Sequence, residues 1–143
     1  MNHYGPINRH AAEILHGGDY NPDQWLENPK IIDRDFELME KSGCNTFSVG
    51  IFSWTALEPA PGEYRFDWLD RIMDRMAEHG FHVILATPSG AKPAWLATAY
   101  PEVCRVDADR RSQPYGSRHN HCWRSPVYRE RLGAINAKLA GRY

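Results

Sequence analysis

Short apolar segments alternate along the chain with longer segments of helical periodicity, and this alternation limits the fold more than any other feature of the sequence. The first apolar run, around Ile14 and Leu15, ends in His16-Gly17-Gly18 and is followed by NPDQWLENP, a loop rich in turn formers. Asn28 is placed to cap a helix opened by Pro29, with Ile32, Phe36 and Met39 at i, i+4 and i+7 and Gly43 as its stop. A second strand is expected within Cys44 to Phe52, where Phe47, Val49 and Ile51 alternate. After the turn-forming EPAPGEY, Asp67 is read as the cap of a helix that presents Leu69, Ile72, Met73 and Met76 on one face and closes at Gly80. Val83 to Ala86 is apolar throughout, the pattern of a parallel strand covered on both faces. A longer excursion runs from Thr87 to Trp123, with a short helical piece at Pro93 to Ala99. Ser125 then caps, and Pro126 opens, a last helix with Tyr128, Leu132, Ile135 and Leu139 inward.

Strand starts near residues 14, 46 and 82 repeat at roughly 34 residues, close to the ~30 per unit of a (β/α)8 barrel. The fold class is therefore α/β, and the architecture a partial (β/α)8 TIM barrel of about the first three βα units. Residues 1–13 are read as an N-terminal extension and 14–143 as an incomplete barrel domain. Three parallel strands can neither close a barrel nor cover their edges, so the chain is expected to be a fragment.

Composition excludes some classes of function. Seventeen Lys and Arg balance eighteen Asp and Glu, and no run of five like charges occurs, which argues against a nucleic-acid face or a polybasic membrane patch. No stretch approaches ~18 apolar residues, and the N-terminal segment lacks the apolar core of a signal peptide, so a soluble cytoplasmic protein is expected. Cys44, Cys104 and Cys122 are an odd, scattered set suited to a reducing compartment as free thiols. Five Trp and seven Tyr would suit a planar or sugar ligand, although such rings more commonly fill cores.

Five stretches, taken in order, carry a resemblance: HGGDYNPDQW (His16 to Trp25), FSWTALEPAPGEYRFDWLD (Phe52 to Asp70), ATPSGAKPAWL (Ala86 to Leu96), YPEVCRVDADR (Tyr100 to Arg110), and SRHNHC with SPVYRE. Together they resemble the N-terminal part of glycoside hydrolase family 42, the β-galactosidases. The resemblance implies a retaining enzyme that removes terminal β-galactosyl units on a TIM barrel. Such chemistry needs two carboxyl groups ~5 Å apart, one protonating the leaving oxygen and one attacking the anomeric carbon. In the family both are glutamates, the acid/base in an Asn-Glu pair after strand 4 and the nucleophile after strand 7. This chain has no Asn-Glu pair, so no catalytic residue is assigned and the chain alone is expected to be inactive. Asp19 and Glu58 stand beside strand ends, but a loop-shaping or rim role fits them better. Rival readings are a galactoside-binding module without catalysis and a truncation that does not function.

The resemblance assigns Arg118, which opens R-x-x-x-C, to the galactosyl subsite, where a guanidinium fork can hold sugar hydroxyls; the rival reading is one more surface arginine. His119, His121 and Cys122 crowd together too closely to converge on one tetrahedral zinc and are not a metal site alone. In zinc-binding members the cysteine matching Cys122 joins three later cysteines, so a structural zinc is implied only for the complete protein, and no cofactor is required. His119 and His121 are expected to orient the loop. Trp25, Trp54 and Trp95 fall at or after strand ends and are weighed as sugar platforms against core residues. Thr87 to Gly90 is read as pocket floor or plain turn, and Cys104 as core. Gly50-Ile51-Phe52 replaces a segment that is acidic in many members, which points to a subgroup. The complete protein is expected to act on β-galactosides as a homo-oligomer.

Overall fold

The computed structural model describes residues 11, 13–116 and 118–143. Three short strands, β1 (Gly17–Tyr20), β2 (Thr46–Val49) and β3 (His82–Leu85), pair in parallel in the order β1-β2-β3. Their register aligns Gly17, Thr46 and His82 at one end and Tyr20, Val49 and Leu85 at the other. Helix α1 (Pro29–Ser42) links β1 to β2; α2 (Trp54–Leu57) and α3 (Asp67–Glu78) link β2 to β3. Beyond β3 come α4 (Ala94–Ala99), a small antiparallel ribbon of β4 (Arg105–Val106) and β5 (Ser112–Gln113), and the long α5 (Pro126–Arg142).

The apolar stripes do the packing expected of them. Ile32, Phe36 and Met39 of α1, Leu69, Ile72 and Met76 of α3, and Tyr128, Ile135 and Leu139 of α5 are buried in one cluster with Phe47 and Val49 of β2. Gly43 ends α1 in the left-handed region at φ 69°, with its N–H donating to the Glu40 carbonyl. Ser125 caps α5, its Oγ accepting the Tyr128 N–H at 3.3 Å.

Four local expectations are corrected. The first strand is not at Ile14 and Leu15, which are 85% and 40% exposed, but at Gly17–Tyr20. Close approach of two backbones, not apolarity, locates it: a Cβ on Gly17 would lie 1.7 Å from the Thr46 carbonyl oxygen. Asn28 makes no side-chain cap; its backbone carbonyl accepts the Ile31 N–H instead. Asp67 is the first residue inside α3, where its charge suits the positive helix end, and Phe66 holds the cap position. Finally, β3 is not covered on both faces. Side chains alternate across a strand, so Val83 and Leu85 meet the helices while Ile84 is 60% exposed. Asp19, Ser48 and Ile84 share that open face, which three strands cannot enclose. Of the segment 1–13, only Ala11 and Glu13 fall within the described residues. No helix among the described residues is long and apolar enough to cross a membrane.

Candidate functional site

In parallel α/β folds ligands gather where the strands end at their C-termini, because the loops there are free to vary while the scaffold is not. Here the strands end at Tyr20, Val49 and Leu85. The loops that follow are tied to one another. Ser53 Oγ donates to Asp23 Oδ1 at 2.8 Å, joining the loops after β2 and β1. The Gly90 N–H donates to the Ile51 carbonyl at 3.1 Å, and Tyr128 Oη donates to the Ser89 carbonyl at 3.2 Å. Thr87 to Gly90 is thus clamped between the loop after β2 and helix α5.

Phe52 and Gly90 meet at this rim. A Cβ on Gly90 would stand 2.6 Å from the Phe52 ring and 3.0 Å from the Ile51 carbonyl oxygen, so glycine is required for the two loops to touch. The Arg118 guanidinium carbon sits 4.5 Å from the centroid of the same ring. Arg118 is exposed and, among the described residues, has no hydrogen-bond or ion-pair partner. Its N–H fork is available to a ligand while the aromatic face beneath it restricts its plane.

The arm that carries Arg118 is anchored from behind. Lys92 Nζ donates to the Pro114 carbonyl at 2.8 Å and to the Asn120 side-chain oxygen, and burial pushes the lysine below its ordinary pKa. The Arg105 N–H donates to the Asn120 carbonyl at 2.9 Å, and the Cys122 N–H to the Val103 carbonyl at 2.7 Å. His119 takes a left-handed backbone, φ 57°, as the arm reverses. His121 lies beneath, 1% exposed and stacked on Tyr128 with centroids 4.2 Å apart. Neither of its ring nitrogens has a partner among the described residues. Burial first, then the nearby His119 and Lys92, lower its pKa to about 4, so it packs as a neutral ring.

The remaining candidates separate. Glu58 is 1% exposed and fully engaged: its carboxylate accepts the Trp54 indole N–H at 2.8 Å and the Gly62 N–H at 2.9 Å. Its carbonyl accepts the Trp95 indole at 2.9 Å. Glu58 therefore shapes the loop; Trp54 is wholly buried and offers no face to a sugar, while Trp95 is half-buried with its indole N–H turned to Glu58. Trp25 lines a cleft with Tyr20, Leu38 and Met39 on the α1 side. Asp19 is exposed on the open sheet face. Cys104 is buried core, and Cys122 is a half-buried free thiol. Among the described residues no three His, Cys, Asp or Glu side chains are grouped to hold a metal ion. Cys122 alone does not make a zinc site.

Sequence reasoning missed two rings, one under Arg118 and one against the histidines of the same arm. Phe52 supports Arg118, and Trp123, 54% exposed, packs edge-on against His121 at 4.3 Å. Phe52 falls at the end of the expected second strand, and Trp123 follows Cys122 without any periodicity that would single it out.

The glycoside hydrolase 42 family model, described as β-galactosidase, matches residues 19–143. The β-galactosidase Pbg of Clostridium perfringens is 54% identical over 143 residues, covering 100% of this chain and 21% of its own length. GanA of Bacillus subtilis is 61% identical over 130 residues, 91% of this chain and 19% of its own. Among solved structures, Gan42B, a β-galactosidase from G. stearothermophilus, superposes with a TM-score of 0.86 at 61% identity, covering 91% of this chain and 19% of that one. The cold-adapted β-galactosidase of Rahnella sp. R3 gives 0.90 at 53%, covering 94% and 20%. The chain thus spans about a fifth of the length of these relatives, and its three parallel βα units are a partial (β/α)8 barrel.

Proposed function

The chain belongs to the glycoside hydrolase family 42 β-galactosidases, and from that premise we propose that it supplies one wall of a galactosyl pocket, with Arg118 as its sugar-binding side chain. The reaction of the complete enzyme is then hydrolysis of terminal β-galactosides with retention of configuration. The observation that carries this reading is the guanidinium fork of Arg118, unpartnered among the described residues and held over Phe52 at the strand-end rim. A guanidinium offers several coplanar donors, which suits the vicinal hydroxyls of a sugar better than a flexible ammonium does.

Retaining hydrolysis also needs an acid/base and a nucleophile ~5 Å apart. Glu58 is buried and its oxygens are taken up by Trp54 and Gly62, while Asp19 lies on the helix-free face of the sheet beside Ser48, the position paired with it on β2. Neither fits a catalytic role, so these residues bind and orient sugar but do not cleave it. Cys122 offers one thiolate, and we assign it to a structural zinc only together with donors from outside these residues; no step of the reaction runs through that metal. The three unpaired cysteines suit a reducing cytoplasm, and the complete barrel is read as a homo-oligomer.

A chimera tests the reading, with this chain replacing the matched segment of Bacillus subtilis GanA and a chromogenic β-galactoside as substrate. The chimera is expected to turn over, Arg118→Ala to lower kcat/KM by about 100-fold, and the isolated 143 residues to show no activity. An Arg118→Ala chimera with unaltered kinetics, or turnover by the isolated chain, would overturn it.

A further inference from the structure

The helical layer contains a second concavity, which shares no residue with the strand-end rim and does not depend on the reading above. Between α1 and α3 lies a groove of about 380 Å³. Leu26, Pro29, Ile32 and Ile72 give it apolar walls, while Trp68, Arg71 and Arg75 bring its polar groups. A largely apolar cleft of this size with a few convergent polar groups is what a small-molecule site requires.

Three features specify the ligand's chemistry. Trp68, Arg71, Ile72 and Arg75 follow i, i+3, i+4, i+7 spacing and so form one stripe of α3. Two guanidiniums four residues apart repel, and an anion relieves that repulsion. Arg75 donates to Asp33 at 2.8 Å, but the Asp33 carboxylate is 62% exposed and the guanidinium keeps further N–H groups. Arg71 is exposed and has no hydrogen-bond or ion-pair partner among the described residues. Of the α3 carboxylates near Arg71, Asp70 is taken by Arg142 and Tyr143, and neither Asp67 nor Asp74, at i−4 and i+3, is hydrogen-bonded or ion-paired to it among the described residues. The third feature is the Trp68 indole. It belongs to a side chain 7% exposed, yet its N–H is buried without an acceptor among the described residues, whereas the Trp54 and Trp95 indoles both reach Glu58. A buried indole N–H ordinarily finds a partner, and an oxygen seated in this groove would supply one.

We propose that the α1–α3 groove binds a small amphipathic carboxylate, its ring-sized apolar body against Leu26, Ile32 and Ile72 and its anionic head between Arg71 and Arg75. The apolar walls disfavour a galactoside, which makes this site chemically distinct from the rim.

The test titrates the 15N-labelled chain with 3-phenylpropionate and with its neutral amide, 3-phenylpropionamide, reading the indole N–H resonances of the five tryptophans. Trp68→Phe assigns the reporter. The expected result is a saturable shift of the Trp68 resonance by the carboxylate, with affinity at least tenfold weaker for the amide and for Arg71→Ala. Arg34→Ala, which removes an α1 arginine paired with Glu37, is expected to leave the affinity unchanged. The same titration on the GanA chimera reads the groove within a closed barrel. No saturable Trp68 shift in either protein, equal binding of acid and amide, or full affinity in Arg71→Ala would each overturn the proposal.

Discussion

The Glu58 carboxylate accepts the Trp54 indole N–H at 2.8 Å with both side chains buried, and the same carboxylate accepts the Gly62 N–H four residues further on. One acidic residue thus closes the loop after β2 and orients a core tryptophan. Glu58→Ala leaves two donors unsatisfied in a dry environment and is expected to destabilise the chain by about 3 kcal/mol. Glu58→Gln keeps one acceptor and is expected to lose about 1 kcal/mol. Urea denaturation measures both, and a catalytic role for Glu58 would require instead that Glu58→Gln keep stability while abolishing turnover in the chimera.

His121 makes stability depend on pH in a defined window. Its folded-state pKa, about 4, lies below the ordinary ~6.5 because burial, His119 and Lys92 all disfavour its charge, and Tyr128 and Trp123 pack on its faces without offering an anion. The unfolded chain therefore binds more protons between these values, and stability is intact above ~6.5 and lost as pH falls toward about 4. His121→Phe is expected to flatten the melting temperature across that window while the wild-type chain loses stability within it. An unchanged slope in the variant would place the titrating group elsewhere.

The two faces of the sheet are expected to answer differently to substitution. Val49 is 0% exposed among the helices, and Val49→Ala should cost about 2 kcal/mol. Ile84, at 60% exposure on the open face, should tolerate Thr within about 0.5 kcal/mol. Chemical denaturation of the two variants compares them. A large loss at Ile84 would mean that this face is covered in solution.

At the rim, Gly90→Ala forces a methyl group against the Phe52 ring and the Ile51 carbonyl. Displacement of Phe52 moves the support of Arg118, so in the GanA chimera KM for a β-galactoside should rise about tenfold while the melting temperature changes little. If melting falls and KM holds, the glycine serves packing alone.

Most of the scaffold was legible because it is encoded locally. Asn28 holds the cap position without a side-chain bond and Asp67 lies one residue inside its helix, yet both helices stand where periodicity places them, since burial of Phe36 or Leu69 outweighs the choice of cap. The misplaced first strand is more instructive. Gly17-Gly18-Asp19 has no apolar signature, and it becomes a strand because its backbone lies against Thr46, a neighbour twenty-nine residues away.

Periodicity, cap chemistry and turn residues sufficed for a parallel βα architecture, and five ordered motifs for its family, because each depends on residues close together in the chain. The perch of Arg118 on Phe52, the withdrawal of Trp54 and Trp95 to Glu58, the burial of His121 and the groove at Trp68 emerged from folding alone. These are contacts between segments that share no local pattern, and packing in three dimensions is what selects them.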